Sequence, residues 1–309
     1  MKIYEPEYYG DFKCLAGECR HSCCIGWEID IDSETMNKYA ELGGEIGERI
    51  RDGIGEVCGV PCFKACEDGR CAFLNRDGLC DIIIGLGEKY LSDICREHPR
   101  FYNVFSDRRE VGLGLCCEAA SELIVGRTEP FKLVCKGGDS EALDEWDERL
   151  LKMRGEILSL IADRELSLDE RIARIDRDFG LDCYGRSIDD WCDFFESLEA
   201  LDNELGQILE AIRGRRNCDD REILPRFIIP FEQILSYFIF RHLSAAEDEA
   251  DARARIGFCL VSLRMIRAMA VASGASKLSE LADICRIYSA EIEYAEDKTE
   301  ALIGEFAEF

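Results

Sequence analysis

Cysteine is the residue type whose number and spacing first suggest chemistry. The chain carries 18, and 13 of them fall within the first 135 residues. Cys14-x4-Cys19-x3-Cys23-Cys24 opens the series with His21 and Trp27 beside it. Cys71-x8-Cys80 follows, then Cys95 in the run Cys-Arg-Glu-His-Pro-Arg, then Cys116-Cys117. Soft thiolates gathered in this way favour zinc or an iron–sulfur cluster over magnesium or calcium, which prefer oxygen ligands. Adjacent cysteines point in different directions in regular structure, so Cys23 and Cys24, and likewise Cys116 and Cys117, need not face one ion. Cys58-x3-Cys62-x3-Cys66 is a separate pattern, open to zinc, redox and structural readings, and Pro61 opposes a regular helix across it. With only three histidines, a multi-histidine catalytic metal site has little support. His21 and His98 are read as neighbours of the cysteines rather than ligands, and His242 as closing a helical core.

Positioning such residues requires a folded frame, and the composition supplies one. The chain has 309 residues, 47% of them hydrophobic, enough for one large core or two ordinary domains. The formal net charge of −26 opposes a nucleic-acid partner and suits a basic one. The opening residues lack an apolar run of signal-peptide length, and no window reads as a membrane span, so a cytoplasmic location without stable membrane insertion is expected. A reducing compartment favours free thiols or metal ligation over a disulfide scaffold.

The expected fold class is mainly α, a cysteine-rich metal-binding N-terminal unit (1–135) packed against a C-terminal helical substrate- or partner-binding region (136–309). In the first unit, Ser33 opens a helix running toward Ile46, with Gly43 and Gly44 weakening its middle. A helix is expected over Leu86 to Glu97, and another from Leu115 to Gly126. Phe131 to Ser140, with Gly137-Gly138 at its centre, reads as a joint. Beyond it, apolar periodicity predicts helices over Leu143–Ile161, Leu168–Phe179, 188–212 (through Leu201), Ala246–Ala272 and Leu278–Glu296. The apolar stretch from Ile223 to Leu243 reads as a buried helix from Phe231 to His242.

The cysteine pattern resembles that of the flagellin lysine-N-methylase family, within a broader group carrying a cysteine-rich zinc- or iron-chelating domain. The resemblance rests on Phe12-x-Cys14, Cys19-x3-Cys23-Cys24-x2-Trp27, Cys71-x-Phe73-Leu74, Gly78-x-Cys80, Gly87-Glu88, Leu91, Cys95-x3-Pro99-Arg100 and Cys116-Cys117-Glu118-Ala119-Ala120. Tyr237-Phe238-x2-Arg241-His242 and Tyr288-Ser289-x2-Ile292-Glu293-x3-Asp297 are two later echoes. The resemblance implies methyl transfer from S-adenosylmethionine to lysine side chains of flagellin or another Lys-bearing protein. It also implies a 4Fe-4S cluster, with zinc as the alternative, drawn from Cys14, Cys19, Cys23, Cys24, Cys71, Cys80, Cys95 and Cys116. Glu118, Glu293 and Tyr288 become candidate catalytic residues through the same match, against surface roles for the glutamates and a core role for the tyrosine. Cofactor-binding residues are not assigned, because Gly112-Leu113-Gly114-Leu115 lacks the spacing of a nucleotide-binding turn. The acidic run Glu291, Glu293, Glu296 and Asp297 is expected to attract the lysine-bearing partner. The competing reading is a metal-stabilised interaction or metal-handling protein without methylase activity.

Overall fold

The computed structural model describes residues 1–139, 142–198, 203–214 and 225–307. Ser140, Leu201 and Ile223, which figure in the expectations above, lie outside the described residues. In chain order the strands are Lys2–Pro6 (β1), Ile54–Val57 (β2), Val60–Phe63 (β3), Arg100–Val104 (β4), Arg108–Leu113 (β5) and Leu133–Gly137 (β6). The helices are Ser33–Glu41 (α1), Gly44–Asp52 (α2), Asp81–Leu86 (α3), Asp93–Glu97 (α4), Glu118–Val125 (α5), Glu145–Ile161 (α6) and Leu168–Asp178 (α7). They continue as Ile188–Ser197 (α8), Asn203–Gly214 (α9), Ile228–His242 (α10), Glu249–Ala272 (α11), Leu278–Tyr288 (α12) and Glu296–Gly304 (α13). A π-helical turn, Ser289–Glu293, follows α12.

The chain divides into two compact units, one formed by Met1–Phe12 with Phe101–Phe309, the other by Lys13–Arg100. In the first, four strands make one sheet in the order β4-β5-β1-β6. β1 runs parallel to β5 with Lys2 opposite Arg108, and antiparallel to β6 with Tyr4 opposite Cys135. Five of the ten residues read from sequence as a joint, Leu133–Gly137, form strand β6. The core of this unit lies among the helices: α10 and α11 bury most of their residues, and α6, α7 and α8 each turn one apolar face inward. Ser167 and Ser187 begin α7 and α8 with reciprocal capping boxes, satisfying backbone N–H groups that would otherwise lack partners.

Buried polar contacts tie α10 and its neighbours together. Glu110 on β5 receives both ends of the Arg154 fork from α6, at 2.6 and 2.7 Å, and Asn103 on β4 donates to the carbonyl of Phe240 at 3.0 Å. Glu232, near the start of α10, accepts from Arg164 and from Arg171 of α7, each at 2.8 Å. Removing one partner from such a pair would strand the other charge in the core, so these contacts hold the helix in one register.

The second unit has its own small core of Ile29, Ile31, Tyr39, Ile50, Phe63, Phe73, Ile82 and Leu91, with the β2–β3 hairpin at its side. The helix expected from Ser33 to Ile46 is two helices. Leu42 and Gly43 are extended and Gly44 takes a positive φ of 74°, which a glycine adopts without strain. The helix expected from Leu86 to Glu97 is broken in the same way by Gly87, at φ 88°, and resumes at Asp93 after an extended Ser92.

These observations correct the expected fold class. The fold is predominantly helical, but strands occur at intervals from Lys2 to Gly137, and it is not all-α. A cysteine-rich metal-binding N-terminal module is not seen. β1 and the residues from Phe101 onward belong to the same compact unit as the long helices, and among the described residues no three cysteine sulfurs lie within 4.8 Å of one another.

Candidate functional site

Charged and hydroxylic side chains converge at one place inside the otherwise apolar helical core. Tyr237, Arg241 and His242 come from α10, spaced so that Tyr237 and Arg241 lie one turn apart on a single face. Ser289 and Glu293 come from the π-helical turn, whose wider pitch carries the Tyr294 N–H to the carbonyl of Ser289 at 3.0 Å. Such turns are frequent at functional sites.

Glu293 is the centre, its side chain fully enclosed. Its Oε1 accepts from the Tyr237 hydroxyl at 2.8 Å and from His242 Nε2 at 2.6 Å, and lies 3.4 Å from Arg241 Nη1. Its Oε2 accepts from the Ser289 hydroxyl at 2.6 Å. Burial pushes this carboxyl upward, but the Arg241 charge and the hydrogen bonds of His242 and Ser289 outweigh it and hold the group at about 2. Burial lowers His242 despite the neighbouring carboxylate, and its Nε2 faces the acceptor Oε1 of Glu293. Its ring packs against Phe258 and Phe238.

Arg241 packs against two aromatic rings, 4.8 Å from the Phe101 centroid and 4.5 Å from that of Tyr294, and donates to the Tyr237 hydroxyl at 2.9 Å. Gly114, just past β5, is packed so closely that an added Cβ would overlap the Tyr294 hydroxyl and lie 3.1 Å from Arg241 Nη1. Cys116 follows two residues later, buried beside Tyr294, and burial pushes its thiol up to about 12.

The structure places the three candidate catalytic residues differently. Glu293 is the hub of this network. Tyr288, 1% exposed on α12, donates instead to Ser262 Oγ at 2.9 Å and packs against Phe195 and Phe238. Glu118 holds the first position of α5 and is 7% exposed. In the acidic run, Glu293 is enclosed and Glu291 lies 3.7 Å from Lys298. Sequence reasoning did not assign Tyr237, Arg241, Ser289 or Tyr294 to a site. Its signal was available in α10, where tyrosine and arginine interrupt an almost wholly apolar run.

The eight cysteines expected as metal ligands are divided between the units: Cys116 in one, and Cys14, Cys19, Cys23, Cys24, Cys71, Cys80 and Cys95 in the other. Cys14 and Cys23 are exposed, and Cys19 donates to the His21 carbonyl at 3.3 Å. The backbone N–H of Cys71 donates to the carbonyl of Cys24 at 2.8 Å. Cys24, Cys71, Cys80 and Cys95 lie within electrostatic reach of one another. Only Cys24 is poised as a thiolate, held at about 7 by a hydrogen bond from Cys23; burial pushes Cys71 to about 12 and Cys95 to about 11, and also raises Cys80. Ligation requires thiolates. A bound metal would itself deprotonate coordinating thiols, so the arrangement of the sulfurs decides: among the described residues no three cysteine sulfurs are gathered within 4.8 Å of one another, and the 4Fe-4S expectation is corrected. Cys58 sits in the turn of the β2–β3 hairpin and Cys62 is buried on β3, in line with Pro61 opposing a helix there.

Among the described residues no helix is long and apolar enough to cross a membrane. No family model matches this chain, and no solved structure matches it. Over 144 residues, 43% of the chain, it is 29% identical to the lysine-N-methylases of Salmonella choleraesuis (strain SC-B67) and Salmonella typhimurium (strain LT2). It is 28% identical over 144 residues to the flagellar biosynthetic protein FliU of Salmonella muenchen, covering 82% of that protein. The match spans only 35% of the length of each of the two lysine-N-methylases, a distant likeness at the level of the family.

Proposed function

We propose that the chain is a methyltransferase-like protein acting on lysine side chains of a protein partner, with flagellin the first substrate to test. The likeness to the Salmonella lysine-N-methylases carries this reading. The enclosed network around Glu293 supports it, since strongly perturbed ionisable groups held together at a cost in desolvation concentrate at functional sites. S-adenosylmethionine is the substrate that supplies an electrophilic methyl group on a sulfonium. The lysine ammonium gives its proton to solvent water, the neutral nitrogen bonds the methyl carbon as the sulfur–carbon bond breaks with its electron pair staying on sulfur, and an N-methylammonium and a thioether result. Glu293 is already engaged by Tyr237, His242, Ser289 and Arg241, so its part is to anchor Tyr237 and Arg241 rather than to take the lysine proton. Intact-mass measurement of flagellin incubated with the protein and donor tests the reading. Successive methyl-mass additions support it, and their absence across a panel of flagellins with folded protein overturns it.

The second reading, a metal-stabilised interaction or metal-handling protein without methylase activity, is favoured by a specific observation. The candidate carboxylate has its partners already and is closed to solvent, and the match spans 35% of the lysine-N-methylases' length. That reading calls for zinc rather than an iron–sulfur cluster. It predicts stable capture of a Lys-bearing protein with no methyl addition.

A further inference from the structure

The Arg241 guanidinium is held on one edge only. Nη1 is given to Tyr237 and Glu293, while Nε and Nη2 bond none of the described residues. These two nitrogens are not sealed in the core: the side chain keeps 15% of its surface exposed, and neither nitrogen is among the buried polar atoms lacking a partner. The rings of Phe101 and Tyr294 both pack against the guanidinium, and Gly114 keeps the backbone close to its Nη1 edge. The result is a guanidinium held through Nη1 and by two aromatic rings, with Nε and Nη2 left as two parallel donors.

Such a fork matches a planar oxyanion bonded through two oxygens, which is the geometry of a carboxylate. Phosphate is the poorer fit, because a doubly charged anion would lie close to the ionised Glu293. Resting on the methylase reading, we propose that Arg241 is a binding residue for the amino-acid carboxylate of the methyl donor. Glu293, Tyr237 and the two rings position it. The donor's adenosyl part is not read by this fork.

Calorimetric titration of the full chain with two probes tests this. S-adenosylhomocysteine carries the carboxylate, and 5′-methylthioadenosine lacks it. Arg241→Gln should weaken S-adenosylhomocysteine binding by roughly tenfold or more and leave methylthioadenosine binding within about twofold. Arg241→Lys keeps the charge beside Glu293 but not the fork, so it decides the matter if the glutamine variant fails to fold, and the same selective loss is expected. Unchanged S-adenosylhomocysteine affinity in the folded lysine variant overturns the assignment and leaves the methylase reading standing. Wild-type protein that binds neither probe overturns the methylase reading, and the assignment with it. Wild-type protein that binds both probes equally tightly shows that the carboxylate is not read, and defeats the assignment alone.

Discussion

Glu293 is ionised where water cannot solvate it, and its neighbours do the work of water. Its folded value of about 2 lies below the ordinary 4.5, so its contribution to stability is fully present above about pH 4.5 and is lost as pH falls toward 2. The contribution is on the order of 3 kcal/mol. Glu293→Gln removes the titrating group. Chemical denaturation at steps between pH 5 and 2.5 should show stability falling less steeply in this variant than in the wild type. Glu156→Gln, on the exposed face of α6, serves as the control; equal slopes in the wild type and Glu293→Gln would show that the carboxylate is not held as described. Cys116, pushed up to about 12 by burial, should resist alkylation at pH 7.5, whereas Cys24, held at about 7, should be modified there at a measurable rate. Peptide mapping by mass spectrometry reads both sites.

At the scale of elements, close packing at the end of β5 has a measurable cost. Gly114→Ala should destabilise the protein by about 1–3 kcal/mol, because the new methyl group meets Tyr294 and Arg241. Asp32 links two helices of the smaller unit: Oδ1 accepts from the Thr35 N–H in the first turn of α1, and Oδ2 accepts from the Asp93 N–H at the start of α4, at 2.8 and 2.9 Å. Asp32→Ala should cost about 1–2 kcal/mol by thermal or chemical melt. The long helices were legible in two ways: α6 because its apolar residues recur with the helical period, α10 because it is an apolar run of helical length. The main sheet was not. β1 is five residues, Lys-Ile-Tyr-Glu-Pro, with one buried position, and its partners lie about a hundred residues away, so no local pattern announces it. At the site, Glu293 was legible as a residue type in a motif, while its dependence on Tyr237 and Arg241 arises only when α10 meets the π-helical turn. Cysteine spacing was legible too, but the distances between sulfurs are set by loops and glycine-bearing turns, which spacing does not encode.

Among the described residues the molecule contains two separate cores, one for each compact unit. Its three tryptophans divide between them, Trp27 in the smaller unit and Trp146 and Trp191 in the larger. With Trp146 and Trp191 replaced by Phe, urea unfolding followed by Trp27 fluorescence should show a transition displaced from the one followed by helical circular dichroism. Coincident transitions would mean that the two cores unfold as one. The parallel pairing of β1 with β5 carries a further consequence, for synthesis on the ribosome. Lys2 leaves the exit tunnel well before Arg108, its partner in the ladder, an interval of roughly 5–20 s at ordinary elongation rates. Throughout that interval Lys13–Arg100 emerges as a continuous segment that can complete its own core, while β1 waits as an unpaired strand. The inner segment can therefore close before β1 meets β5, its parallel neighbour.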